Sequence, residues 1–245
     1  LNYACYQDAR FLLVATPSGI SLAPEGGAHQ SVGTPLVGLS QDGLAAFEPA
    51  YADELACLME WAFDYLQNDG TGRSPTGWER DLDGGSVYLR LTTRPIAQPG
   101  RALDDATRRA IVDGGYWRVP PGRGTRLAVV YQGTLAPEAM AAVEALGEED
   151  EPAALLAVTS ADRLNAGWHA AQRRRQTDGG AGAPAHVERL LAELPRDAAL
   201  VTLLDGHPAT LSWLGGVCGH RTFPLGVEHF GQSGDTAALY AHHRV

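Results

Sequence analysis

A chain of 245 residues with a formal charge of −10 has room for one large or two small domains, and the sign of that charge disfavours nucleic acid or an anionic membrane as a partner. Its hydrophobic fraction of 44% is that of a folded globular protein. All 19 basic residues are arginine, so no side-chain amine exists for Schiff-base chemistry. Cys5, Cys57 and Cys218 are widely spaced and odd in number. That fits neither a disulfide framework nor a Cys-x-x-Cys pair, and it suits a reduced, cytoplasmic setting. No apolar run approaches the roughly 20 residues of a membrane span, and no signal peptide is visible. The chain opens inside structured-looking sequence without a Met, and is expected to be part of something longer.

In chain order, the run RFLLVAT (10–16) reads as a buried strand stopped by Pro17 and Gly19. A glycine-rich loop follows, and GLAAFEP (43–49) is a second short strand. Pro49 is expected in the first turn of a helix, with Asp53 and Glu54 behind it at the positive end of the dipole. Leu55, Leu58, Met59, Ala62, Phe63 and Leu66 recur at helical spacing and predict one apolar face. Residues 68–85 read as a polar loop, and SVYLRLTT (86–93) as a strand. The prolines and glycines between 95 and 124 suggest a connection carrying one short helix near 104–112.

Strands are then expected at 126–131, 154–159, 199–204 and 221–227, with helices near 135–146, 186–193, 208–218 and 235–243. Alternating helices and continuously apolar strands imply an α/β fold with a mostly parallel sheet covered on both faces. The division expected is 1–95, a connection at 96–124, and a second unit at 125–245.

Ligands of open α/β sheets sit beyond the carboxyl ends of strands. The loop LAPEGGAHQSVGTP (22–35) leaves such an end and holds Glu25 and His29 four apart. A histidine can hold or move a proton near neutrality, and a carboxylate can orient it. The bland alternative is a solvated loop histidine beside a surface acid. Gln30 and Ser31 follow, either as ligand contacts or as caps of the next short helix. Arg94 could grip a carboxylate or phosphate, or pair with an acid nearby. Asp205 and His207 read as turn and capping residues, and Cys218 with His220 as a poor thiol–imidazole pair. GQSGD (231–235) misses the hydrolase elbow by one residue. His242 and His243 lack metal-ligand spacing, so no metal site is expected. The triplet Arg173–Arg175 reads as a solvated helix end running into a Gly/Ala-rich loop.

The segments PEGGAHQ, FEPAYADELACLMEWAF and VYLRLTTRP resemble the second half of the pyrimidine-binding domain of the transketolase superfamily. LGVEHFGQSGDTAALYAHHRV is similar to the superfamily's C-terminal ending, through Gly226, Phe230, Gly231 and Ser233. Two details point to the homodimeric bacterial pyruvate dehydrogenase decarboxylating component: Glu25 where sugar-handling members carry Asp, and the VTSADRLNAGW stretch (158–168). Arg94 falls near a phosphate-binding arginine of transketolases, which keeps a phosphosugar substrate open.

The resemblance implies a partial pyrimidine-binding domain followed by a transketolase C-terminal-like domain. It also implies thiamine diphosphate and Mg2+ in the complete enzyme, and His29 as a substrate-side proton donor with Glu25 as its partner. Gln30 and Arg94 would contact substrate. The implied partners are an N-terminal half of the enzyme, a second copy in a homodimer, and a lipoyl-bearing acyltransferase. The Gly-Asp-Gly triplet that binds metal and diphosphate in these enzymes does not occur here. The chain alone is therefore expected to be inactive and to hold the cofactor poorly. The alternatives are a transketolase acting on phosphosugars and a non-catalytic interaction module.

Overall fold

The computed structural model describes residues 1–16, 18–70, 83–177 and 182–244. Most of the expected polar loop at 68–85, and part of the Gly/Ala-rich stretch after Arg175, lie outside the described residues. The strands are β1 (Leu12–Ala15), β2 (Leu44–Phe47), β3 (Ser86–Arg90), β4 (Gly115–Val119), β5 (Leu127–Gln132), β6 (Ala153–Val158), β7 (Ala199–Leu204) and β8 (Arg221–Leu225). The α-helices are α1 (Asn2–Tyr6), α2 (Thr34–Ser40), α3 (Ala52–Tyr65), α4 (Asp105–Asp113), α5 (Ala136–Glu148), α6 (Ala161–Thr177), α7 (His186–Ala192), α8 (Ala209–Ser212), α9 (Gly215–Cys218) and α10 (Thr236–His243). Two sheets result. One runs β1-β3-β2, all parallel; the other runs β4-β6-β5-β7-β8, parallel except for β4 against β6. The expected α/β class with mostly parallel sheets is the fold observed.

Alternation along β5 explains why its sequence is apolar throughout. Ala128 and Val130 join one core with Leu156, Leu164, Val187, Leu191 and Leu200. Val129 and Tyr131 join another, which also holds Phe47, Leu58, Val87 and Leu89 from the first sheet's side. Each face of the strand is buried in a different core, as a parallel sheet requires. The second core is common to both sheets, so neither can shed the other without exposing it.

Four expectations need correction. β1, expected to be buried, lies at the edge of its sheet with Leu13 and Val14 exposed. Residues 96–124 are not merely a connection: β4 lies within them and adds an edge strand to the larger sheet. Five residues hemmed by Gly114 and Pro120 carry too little periodicity to be seen as a strand. Pro49 lies before α3 rather than in its first turn, where Glu54 instead accepts from the amides of Ala50 (2.8 Å) and Tyr51 (3.1 Å). Phe63 is 55% exposed, because Cys57, Leu58, Ala62 and Tyr65 supply the buried face.

One glycine is dictated by geometry. Gly114 ends α4 at φ +111°, and a Cβ there would come within 2.7 Å of the Ser160 carbonyl oxygen.

Arg101 ties this middle segment to α3. Its guanidinium bonds Asp53 at 2.6 Å and Glu54 at 3.3 Å, and lies 5.4 Å and 5.3 Å from the ring centroids of Tyr51 and Tyr116. Tyr116 donates its hydroxyl to Glu54 at 2.5 Å. Burial alone would raise the Asp53 carboxyl, but Arg101 overcomes it and the group sits below its ordinary range. A carboxylate depressed in the folded state adds stability that is present above its unfolded pKa and lost as pH falls through the folded value. Arg101→Ala is expected to lower unfolding free energy by about 2 kcal/mol at pH 7, the size of a hydrogen bond to a charged group. In urea titrations that deficit should shrink below pH 4; an equal deficit at both pH values would remove the ion pair as its cause.

Candidate functional site

Four polar side chains sit at or just past the carboxyl ends of parallel strands from both sheets: Glu48 after β2, Arg90 at the end of β3, Gln132 at the end of β5 and Asp205 after β7. All four are buried. Arg90 pairs with Glu48 and also donates to Thr34 Oγ1 (3.0 Å), the Ser31 carbonyl (3.3 Å) and the Asp205 carbonyl (2.8 Å). Gln132 donates to the other Glu48 oxygen at 2.9 Å. Burial pushes the Glu48 carboxyl up, against the pull of Arg90 and Gln132. The void beside this network is about 10 Å3, which admits no substrate. Its work is to lock the sheets together.

The same strand ends hold the loop. The Asp205 carboxylate accepts from the amides of Gly19 (2.9 Å), Ile20 (2.6 Å) and Ser21 (3.1 Å), and from the Ser21 hydroxyl. These are the unpaired amides that open the 3-10 turn Ile20–Glu25, a natural anion seat. Asp205 is thus a cap, as expected, but of a turn 184 residues or more away. His207 caps locally, accepting from the Ala209 amide at 3.2 Å.

Of the expected site residues, Glu25 and His29 are both exposed on this loop. His29 Nδ1 lies 3.0 Å from the main-chain carbonyl oxygen of Glu25, so the backbone of Glu25, rather than its carboxylate, orients the ring. A carbonyl can only accept, which assigns the Nδ1 proton and leaves Nε2 as the open ring atom. Gln30 is only 4% exposed, and its side-chain amide has no hydrogen-bond partner among the described residues. It lies under Gly231, where a Cβ would overlap the Gln30 oxygen. Ser31 bonds the Thr34 hydroxyl at 3.0 Å, at the start of α2. Arg94 stands apart from the loop's histidine contact, paired with Glu138 at 2.5 Å and donating to the Thr134 carbonyl at 3.3 Å. Tyr240 on α10 reaches the same Glu138 oxygen at 3.4 Å, and burial pushes its phenol up to about 12. Ile20, Val32, Val227 and Leu239 form a small core that seats α10 against the loop.

The other motifs resolve into structure. His220 is buried with its ring nitrogens against the Ala198 and Leu191 carbonyls, while Cys218 is exposed. Asp235 of GQSGD caps α10, accepting from the Ala238 amide at 2.8 Å. Sequence reasoning missed Glu48, Arg90 and Gln132. Their signal was a polar residue closing each of three otherwise apolar strands.

No protein-family model matches this sequence, and no curated protein matches it. Solved structures do. A transketolase from Leishmania mexicana superposes with a TM-score of 0.70 at 17% identity, over 100% of this chain and 29% of its own. The chain has a transketolase C-terminal-like fold. A transketolase variant from Pichia stipitis gives 0.63 at 17% identity, over 95% of this chain and 28% of that one. A split-gene transketolase, described as an inactive β4 tetramer, gives 0.61 at 17% identity, over 98% of this chain and 64% of that one. The chain therefore spans under a third of the first two and under two thirds of the third. The narrower likeness to pyruvate dehydrogenase rests on sequence segments alone.

The described residues do not fit a thiamine diphosphate–metal clamp. Among the described residues no three His, Cys, Asp or Glu side chains could share a metal ion. The buried carboxylates Glu48, Glu54, Asp162 and Asp205 are already committed to Arg90, to Tyr116 and Arg101, to the Ala46 amide, and to the loop amides. Among the described residues, no helix is long and apolar enough to cross a membrane.

Asp205→Ala would strand three amides and free the turn from the strand ends. It is expected to cost about 2–3 kcal/mol. Limited proteolysis should then cut first within residues 19–33; an unchanged cleavage pattern would refute the anchoring role.

Proposed function

We propose that this chain is the substrate-side part of a thiamine diphosphate enzyme of the transketolase superfamily, completed by a second polypeptide segment that carries the cofactor-holding groups. The observation that carries the proposal is the loop at the carboxyl end of β1. It is anchored by Asp205 at its root and presents His29 with one ring nitrogen committed and the other open. β1 itself is an edge strand with Leu13 and Val14 exposed, and an unpaired apolar edge is a surface that another strand completes. In this reading the protonated His29 imidazole donates from Nε2 toward an oxygen of the substrate, and the Glu25 carbonyl sets its orientation. The unit at 1–95 carries the loop, and the unit at 125–245 supports it through Asp205 and α10.

Two substrates fit this frame. The Glu25 and VTSADRLNAGW likenesses favour a 2-oxo acid such as pyruvate, with a lipoyl-bearing acyltransferase as the acyl acceptor and Mg2+ beside the cofactor. The transketolases solved in complex with sedoheptulose 7-phosphate and fructose 6-phosphate favour a phosphosugar. For Arg94 to bind a sugar phosphate it must exchange its bond to Glu138 for the ligand. A non-catalytic role is the reading to which the inactive β4 tetramer lends support.

In the complete enzyme, His29→Ala is expected to lower turnover at least tenfold, within the range general acid–base groups supply, with little change in cofactor affinity. Near-normal turnover would overturn the assignment. Loss of phosphosugar binding in Arg94→Ala would decide for that substrate. Calorimetric titration of the chain alone with thiamine diphosphate and Mg2+ should give no binding; micromolar binding would show that these residues hold the cofactor after all.

A further inference from the structure

Between α3, α4, α6 and the segment entering α7 lies a cleft of about 750 Å3, the size of a small-molecule site. It shares no residue with the Arg90 network or with the loop bearing His29. Five of the chain's 19 arginines line it: Arg108, Arg109, Arg163, Arg174 and Arg189. Against them stand three carboxylates, Glu60, Asp64 and Asp113, which leaves the lining at +2 in a chain of −10.

The arginines are arranged rather than scattered. Arg163 is 4% exposed, with its guanidinium 4.7 Å over the Trp61 ring, which itself stacks on Tyr65 at 4.5 Å. Arg108 is held only loosely, 3.4 Å from Cys57 Sγ and 3.8 Å from the exposed Glu60. Arg109 is exposed and makes no hydrogen bond or ion pair among the described residues. Arg189 donates to the Pro184 carbonyl at 2.7 Å, which fixes it to the cleft wall. His186 has Nε2 2.7 Å from the Gly115 carbonyl, and burial pushes its pKa down, so it adds no positive charge at neutral pH. Val112, Ala170 and Pro184 supply apolar wall between the charges.

We infer that this cleft binds a small phosphomonoester, its phosphate among the arginines and its hydroxyl groups against Glu60 and Asp64. Guanidinium groups match the oxygens of a phosphate dianion and stay charged when half-buried. The carboxylate wall on α3 would repel a run of acidic residues in a peptide, but accepts hydrogen bonds from sugar hydroxyls. The inference is independent of the function proposed above, since none of the residues is shared.

The test is calorimetry on this chain with adenosine monophosphate, ribose 5-phosphate and inorganic phosphate. One ester is expected to bind more tightly than inorganic phosphate, and which one it is separates a nucleotide from a sugar phosphate. Affinity should fall at least tenfold in Arg109→Ala and be lost in the Arg108→Ala/Arg109→Ala pair. Both positions are exposed on α4, and circular dichroism verifies folding. Arg196→Ala, an exposed arginine outside the cleft, should bind as the parent does. The inference is overturned if the parent binds no ester, if inorganic phosphate binds as tightly as the tighter ester, or if Arg109→Ala matches Arg196→Ala.

Discussion

The buried pairing of Arg90 with Glu48 is the constraint on which the rest of the structure depends. A guanidinium with 2% side-chain exposure is costly to desolvate, and a hydrophobic pair of equal volume would often be as stable. Such a pair contributes position. Through its fork of donors Arg90 reaches the start of α2, the end of β2 and the end of β7, so one side chain fixes three elements at once. Glu48 passes the constraint on to β5 through Gln132. Main-chain and side-chain bonds from the end of β6 continue it: the Glu48 amide donates to the Thr159 carbonyl at 2.8 Å, and the Ala46 amide to Asp162 at 3.0 Å. The carboxyl ends of two separate sheets become one polar floor.

The loop inherits its placement from that floor. Its root is a turn whose amides point at Asp205, and the carbonyl of the same Asp205 receives Arg90. The side chain of Asp205 holds the root of the loop while its carbonyl receives Arg90, so the strand ends and the loop bearing His29 are tied at one residue. Farther along, α10 and Gly231 press on the loop from outside, so that Gln30 is sealed in with its amide unpaired. A buried amide without partners is expensive, of order 1–3 kcal/mol. Like the small core of Ile20, Val32, Val227 and Leu239, it is a contact of loop and C-terminal segment made by shape rather than by hydrogen bonding.

How much of this was legible follows from the range of each interaction. Strands and helices whose apolar pattern is decided by neighbours within four residues could be read: β5, β6 and β7 as continuous runs, α3 from its stripe. The stripe misplaced Phe63 because several positions on a helix compete for one buried arc, and partners elsewhere in the chain decide among them. β4 was missed because its pairing with β6 is the only thing that makes five residues a strand. The contact of Asp205 with Ile20 spans 185 residues, and no local pattern encodes it. Arg90 was visible in principle, as a charge closing a strand that is otherwise apolar. What lay beyond reach was its partner.

The absence of lysine gives the charged groups of this chain a common logic. An ammonium desolvated beside apolar wall can lose its proton, whereas a guanidinium keeps its charge and offers planar, directed donors. Each buried or half-buried guanidinium named here is therefore a permanent charge answered by an acid, a carbonyl or an aromatic face. Arg90 is answered by Glu48, Arg101 by Asp53 and two tyrosine rings, Arg94 by Glu138, and Arg175 by Glu188 at 2.6 Å. Set against these pairs, the cleft lined by Arg108 and Arg109 stands out by its imbalance. There five guanidinium groups and only three carboxylates line one concave surface. An anion entering that surface would complete the pattern that the rest of the molecule completes by itself.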